Sequence, residues 1–538
     1  MCSISSTIVT VGNSATLPRS LLLACRERND AAQSVVTDFR AIKPSSSSLV
    51  RPEGRAGKTQ IQGKIQGRHG FCAAAAFIDD GQGSAFSSSG GDDEVRKWTS
   101  SKSSGSKARR LEYDVVIVGA GIIGLATAHH ILFNTNLSVA LIDAAEPCAG
   151  ATGAGQGYIW MSHRTPGSPG WALASRSKLL WEELAAEIQA AGVDPLKAMG
   201  WKNTGSVLVA STTEEAELLR KTVSAFLTAG VPAEYMSALD ARKAEPALSP
   251  DHLSGAAFFP EDSQIDASLT VKLLQQRIRG FTSSGRYKEL FHNPALRFLR
   301  STTEGHIQGV QIHGGEVFCK KAVVVATGAW STALMATASA EWGLPIVPPV
   351  KPRKGHLLVL GRIENVQLRH GIMECEYLSH SRPSHVEVVE IPERQDVLQS
   401  SLELAMTATL DQNGNLLLGS SREFVGFDVK VHPQVVESIL NRARKFLGGL
   451  SHVSLEHALQ IGRVRTGLRP FVPDGRPVIG GIDDVPGLIF ATGHEGSGLC
   501  LALATAEMVA STIQGIECTV DRSFFSPVGR LLPLKINS

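Results

Sequence analysis

The chain is poor in aromatic residues: Phe, Trp and Tyr make up 6%, with five tyrosines in 538 residues. It has little net charge, +2 at neutral pH, which argues against a basic nucleic-acid binder. It lacks a stretch of roughly 18 apolar residues that reads as a membrane span. The nearest, residues 115–132, is broken by Gly119, Gly121 and Gly124 and carries His129 and His130. The eight cysteines form no C-x-x-C pair and no Cys/His cluster at zinc spacing. That excludes a redox dithiol, gives no metal site, and leaves reduced thiols as the reading. No internal repeat is visible. What is present is a chain 43% hydrophobic, apolar enough for a large core and long enough for roughly three domains.

The charge is unevenly spread. Residues 1–110 carry 16 Lys/Arg against 9 Asp/Glu, and the remainder 37 against 42. The first span also holds 19 serines and lacks sustained periodicity, so it reads as a disordered basic extension on an acidic globular body. No acid precedes Glu27, while Arg19, Arg26, hydroxyl residues and a short apolar patch at 21–24 do. That composition resembles an organellar transit peptide, chloroplast more than mitochondrion, rather than a secretory signal.

The apolar run Tyr113, Asp114, Val115, Val116, Ile117, Val118 reads as one buried strand. It leads into Gly119-Ala120-Gly121-Ile122-Ile123-Gly124, a helical stretch at 125–132 and a second strand at 138–142 closed by Asp143. In this order a first glycine permits the tight turn, a second lets backbone N–H groups approach a pyrophosphate, and a third lets helix and strand pack closely. The helix N-terminus favours the phosphates, and a carboxylate 19 residues after Gly124 suits a ribose. The unit marks a dinucleotide site, either NAD(P) or FAD. Only one such fingerprint occurs, whereas a flavoprotein reductase fed by a nicotinamide commonly has two.

Three segments favour FAD. The small-residue loop 149–157, containing Ala151 and Thr152, allows backbone approach to an extended ligand. The strand at 323–325 runs into Ala326-Thr327-Gly328. The strand at 488–490 runs through Gly493-His494-Glu495-Gly496-Ser497-Gly498 into a helix at about 499–513, whose N-terminus could face a ring that becomes anionic on reduction.

These segments resemble the FAD-dependent amine oxidase family of D-amino-acid oxidase, glycine oxidase and sarcosine oxidase, over residues 113–514. The most specific stretch is Thr466-Gly467-Leu468-Arg469-Pro470, then Pro473-Asp474-Gly475-Arg476-Pro477-Val478-Ile479-Gly480, then Ala491-Thr492-Gly493-His494. The segment 259–266 and Pro352-Arg353-Lys354-Gly355-His356-Leu357 also look like the family. The resemblance implies an α/β fold: a Rossmann-type FAD-binding domain (111–200, 255–345 and 455–520) carrying an inserted β-rich, α+β substrate domain (201–254 and 346–454). FAD would be held by Gly119, Ala120, Gly121, Ile122, Gly124, Asp143, Ala151, Thr152, Gly328, Gly493, Gly496, Ser497 and Gly498. Gly467 and Leu468 stand where some relatives carry a flavin-linking cysteine, so non-covalent FAD is expected.

Arg469 matches the family arginine that clamps a substrate carboxylate, a role suited to a bidentate guanidinium. His356 and His494 are the acid/base candidates. Arg465 adds a second positive charge that either favours a more acidic substrate or points to solvent. No tyrosine lies in a context that suggests a lid. The implied reaction is oxidation of the C–N bond of a small amino acid or N-methyl amino acid by hydride transfer to flavin N5. Electrons would pass to oxygen or another acceptor. The alternatives are a dehydrogenase of a 2-hydroxy acid on the same scaffold and a non-catalytic flavin-binding subunit. Oligomeric state is left open.

Overall fold

The computed structural model describes residues 109–363, 365–380 and 402–533. The extension up to residue 108 and a strand expected at 386–390 lie outside the described residues. The first strand, Arg109–Val118, begins two residues inside the span read as extension, because Arg109 and Arg110 pair with Gly315 and Glu316.

That strand is central in a sheet whose order is Val478–Gly481, Leu488–Thr492, Gly315–Val325, Arg109–Val118, Val139–Ile142 and Tyr287–Leu290. The last five are parallel, and Val478–Gly481 is an antiparallel edge. Val115 and Ile117 enter one core and Val116 and Val118 the other, so both faces are covered. A strand buried on both sides needs no polar alternation, which is why it reads as a continuous apolar run.

The helix Ile122–Asn134 begins directly at the glycine turn, earlier than the apolar spacing predicts. It packs on the helix Gly498–Gln514, where Ala502, Ala504 and Ala506 are small enough for close approach. By length and composition Glu495–Gln514 could cross a membrane, contrary to the sequence expectation of no such stretch, yet most of it is buried in the protein core. Residues 181–191 read from the sequence as a helix with acids on a solvated face, but the helix Pro169–Ala190 starts well before them. Ser168 accepts a bond from the Trp171 N–H and Pro169 opens the first turn, two start signals outside the amphipathic pattern. Its Trp181, fully buried, donates through Nε1 to Leu499 O at 3.1 Å, fixing the start of Gly498–Gln514. Truncating such a side chain costs about 3–5 kcal/mol.

A second sheet runs Gly462–Phe471, Lys351–Leu360, Leu416–Arg422, Glu403–Leu410, Gly371–Glu374, Ser206–Ala210, Gly255–Phe259 and Glu234–Met236. Gly255–Phe259 and Gly462–Phe471 fall in spans read as cofactor domain but are strands of this sheet. Apolar pattern alone cannot say which of two buried sheets a strand joins. The turn at 411–415 closes the hairpin of Glu403–Leu410 and Leu416–Arg422, with Asp411 Oδ1 accepting from the N–H groups of Asn413 and Asn415.

Alternation along Lys351–Leu360 separates two environments. Leu358 and Leu360 join the core under the helix Pro433–Phe446, whereas Leu357 and Val359 cluster with Leu417 on the opposite face. Arg353 and Gly355 share the face of Leu357, and Lys354 and His356 that of Leu358.

Candidate active site

The glycine turn has the steric form the fingerprint predicts. Gly119 has φ +109°, and a methyl group on Gly124 would stand 1.8 Å from Gly119 O. Neither position tolerates a side chain with this backbone. Gly121 carries no capping side chain and no acid lies in the first turn; Thr152 takes the Ile122 N–H, and the rest of the positive end is left for an anion. Asp143 Oδ2 accepts from Ala120 N at 2.5 Å and Oδ1 from Ala145 N at 2.8 Å. Burial raises the Asp143 pKa while these two N–H bonds oppose it. A carboxylate has about four acceptor positions, so capacity remains for ribose hydroxyls. These residues fit a dinucleotide.

The small-residue loop links this turn to the second sheet. Thr152 Oγ1 accepts from Ile122 N at 3.0 Å, so its hydroxyl supports the helix start. Ala151 and Ala154 lie against Gly467, and Gly155 against Leu499 at the head of Gly498–Gln514. A trail of small residues thus runs from the glycine turn toward the strand that carries Arg469.

Arg469 lies over Gly355. A methyl group there would sit 2.3–2.5 Å from the guanidinium atoms, so only glycine leaves the space. Arg469 Nη1 donates to Ser421 O at 2.8 Å, and Gly496 adjoins both the Arg469 side chain and the Tyr377 hydroxyl. Arg353 is its cross-strand partner. Arg422 is buried, with its guanidinium 4.3 Å from the Tyr377 ring centroid. Facing them is Glu495, at φ +47°, whose Oε1 accepts from Arg353 Nε at 3.1 Å and Nη2 at 2.6 Å. Burial would raise the Glu495 pKa, but Arg353, Arg469 and Arg422 overcome it and hold the carboxyl at about 2. His163 stacks edge-on near Tyr377, its pKa lowered to about 3 by burial and then by Arg164 and Arg422. It is therefore uncharged at neutral pH.

Glu495→Gln is expected to lower the melting temperature at pH 7, since it leaves the buried Arg353 without the anion of its partly exposed partner, a loss of about 1–3 kcal/mol. Because the folded carboxyl has a depressed pKa, its stabilisation is complete above its ordinary 4.5 and is lost as pH falls toward 2. The gap between wild type and variant should therefore narrow at pH 3. A gap independent of pH would contradict the ion pair.

The sequence-expected residues divide. Gly119, Ala120, Gly121, Ile122, Gly124, Asp143, Ala151 and Thr152 meet at the glycine turn and its supporting loop. Arg469 and Gly496 meet at the arginine cluster, and Ser497 and Gly498 begin the adjoining helix. Gly328 follows Ala326 and Thr327, which abut Gly119, and Gly493 directly follows the strand Leu488–Thr492. Gly328 O accepts from Ser331 Oγ and Thr492 Oγ1, and Gly493 packs on Val472.

Neither candidate histidine is placed as an acid or base at Arg469. His494 is buried, bonds Thr505 Oγ1 through Nε2 at 3.0 Å, and is held near pKa 3 by burial. His356 points to the opposite sheet face, because it is one residue out of phase with Arg353 and Gly355. Its Nε2 accepts from His432 N at 3.2 Å, which puts the ring proton on Nδ1, toward Ser421 Oγ at 3.1 Å and Glu423 Oε1 at 3.5 Å. His356, Glu423 and His432 have metal-ligand chemistry, but a cation on Nδ1 would force two N–H groups together at Nε2. Lys354 also stands nearby, paired with Asp428 at 2.8 Å.

Arg353 and Glu495 lie in segments that the sequence singles out without assigning them a role, and Arg422, Tyr377 and His163 carried no reading. Arg465 lines a separate cavity with Lys202, Asp266 and Asp411.

Residues 114–512 match a family model described as DAO, FAD dependent oxidoreductase. The glycine oxidase of Geobacillus kaustophilus (strain HTA426) is 27% identical over 426 residues, 77% of this chain and 96% of that protein. The crystal structure of glycine oxidase from Geobacillus kaustophilus is similar at a TM-score of 0.62 and 24% identity, covering 77% of this chain and 98% of that one. The crystal structure of L-proline dehydrogenase from P. horikoshii is similar at 0.62 and 19%, covering 78% and 98%.

Proposed function

The chain belongs to the DAO family of FAD-dependent oxidoreductases, and we propose that within it this protein oxidises the C–N bond of a small amino acid or N-methyl amino acid, holding FAD without a covalent link. The observation that carries this reading is the Arg469 guanidinium, seated on Gly355 and Ser421 O beside Gly496. A fixed guanidinium near the head of Gly498–Gln514 is what a carboxylate substrate needs for orientation. The glycine oxidase relative supports a small amino acid.

The turn at Gly119–Gly124, Asp143 and Thr152 would hold the cofactor. When bound, FAD supplies at N5 the acceptor for the hydride that leaves the carbon bearing the amine. Arg469 binds the carboxylate and so fixes that carbon. Glu495 is ionised and engaged by Arg353, and His163 stays neutral, so neither is poised to take the ammonium proton. The amine therefore enters neutral. Loss of hydride from carbon and a proton from nitrogen leaves an imine, which water splits into the carbonyl acid and the free amine or ammonia.

The test is an anaerobic bleaching screen of the purified flavoprotein. Bleaching by glycine, sarcosine or a D-amino acid, with peroxide release in air, is the expected outcome. Bleaching by 2-hydroxy acids alone would move the assignment to a dehydrogenase of that class. A flavin that no amino or hydroxy acid bleaches would leave a non-catalytic subunit. We further infer organellar import, to the chloroplast, from the Ser-rich, basic residues 1–108. A reporter fused to that span should enter plastids, and a cytosolic reporter would refute this.

A further inference from the structure

We propose that the arginine cluster selects substrates with two anionic groups, Arg469 taking one carboxylate and Arg422 a second. The proposal rests on the amino-acid-oxidising reading above and names its substrate class. The charges of three guanidinium groups, Arg353, Arg469 and Arg422, bear on one carboxylate, that of Glu495, and Arg353 contacts it directly. Arg353 and Glu495 already form a closed pair: Glu495 Oε1 receives two bonds from Arg353, whose guanidinium also lies 4.8 Å from the Phe471 ring centroid. Among the described residues, neither Arg422 nor Arg469 has an acid of its own at contact distance.

Arg469 has Ser421 O for Nη1. Arg422 is 3% exposed, and its Nη1 has no hydrogen-bond partner. Glu403 and Tyr377 are the remaining titratable groups whose charge bears on Arg422, and His163 is neutral. A buried guanidinium with an unmet donor carries a desolvation penalty that an incoming anion removes. One monocarboxylate can answer Arg469 or Arg422 but leaves the other cation uncompensated. An acidic amino acid, or a glycine carrying an N-carboxymethyl group, answers both. The same arrangement discriminates against neutral side chains, because their binding leaves the second charge dry and unpaired.

Two measurements on the holoprotein separate this from the parent reading. In turnover, kcat/KM for aspartate, glutamate (both enantiomers) and N-(carboxymethyl)glycine is compared with glycine, sarcosine and D-alanine. The best dicarboxylate should exceed the best monocarboxylate by about tenfold or more. In binding, calorimetry compares succinate with butyrate, neither of which has an amine to oxidise. Succinate should bind about tenfold tighter or more, and Arg422→Leu should erase most of that preference. Arg422→Lys, which keeps the charge but not the fork, covers the case in which the leucine variant loses its flavin. Oxidation of monocarboxylic amino acids at equal or higher kcat/KM, with succinate and butyrate bound alike, overturns the two-anion site and leaves amino-acid oxidation standing. Preference for succinate without oxidation of any amino acid would support the two-anion site while removing the parent reading.

Discussion

Arg469→Ala is expected to reduce kcat/KM for the carboxylate substrate by roughly 10²–10³-fold while the protein keeps its FAD. The magnitude follows from losing a charge-assisted, bidentate contact in a dry site, about 3–4 kcal/mol at 1.4 kcal/mol per decade. The cofactor should persist because its cradle uses other residues: the Gly119–Gly124 turn, Asp143 and Thr152. Arg469→Lys should recover only part of the loss, since an ammonium keeps the charge but not the planar fork. Gly355→Ala should act in the same direction without removing any charge. Its methyl group would occupy the space of the Arg469 guanidinium and displace the clamp. Unchanged kinetics in both Arg469→Ala and Gly355→Ala would remove Arg469 from substrate binding.

Gly124→Ala is expected to abolish flavin retention and to destabilise the protein by about 3 kcal/mol or more. The added methyl group would stand 1.8 Å from Gly119 O, a backbone atom that cannot swing aside as a side chain can. Relief requires the helix Ile122–Asn134 to move away from the strand Arg109–Val118, which opens the turn that faces the phosphates. The purified variant should be colourless and melt well below wild type. A yellow variant with an unchanged melting temperature would show that the turn is not the cofactor cradle.

The cofactor end of this molecule was legible in the sequence because its signal is local. Strand, glycine turn, helix and Asp143 lie within about 30 residues; Gly124 answers to Gly119 O inside that unit, while Gly119 and Gly121 are confined by Ala326 and Thr152 outside it. The substrate end was only partly legible. Arg469 stood out through its surrounding motif, but Arg353, Arg422, Tyr377 and Glu495 come from four separate segments. The register of the second sheet gathers Arg353, Arg422 and Arg469, whereas Glu495 comes from the loop after Leu488–Thr492 of the first sheet and Tyr377 from the short helix Glu376–His380. Pairing of Lys351–Leu360 with Gly462–Phe471 sets Arg353 opposite Arg469 and Gly355 opposite Gly467.

The same register explains the misplacement of His356. A strand shows its period of two in the sequence, but not which of its faces the cofactor domain meets. Tyr377 follows a short strand, Gly371–Glu374, with no surrounding pattern to mark it. The early start of Pro169–Ala190 was missed for a different reason. Its start is set by capping at Ser168 and by Pro169, while its apolar face becomes regular only later.

The most direct measurement is the flavin content of the purified protein after reconstitution with FAD, read from the visible spectrum before and after acid precipitation. About one FAD per chain is expected, released to the supernatant because no covalent link holds it. Protein that stays colourless under excess FAD, with its melting temperature unmoved, would contradict the account at its foundation.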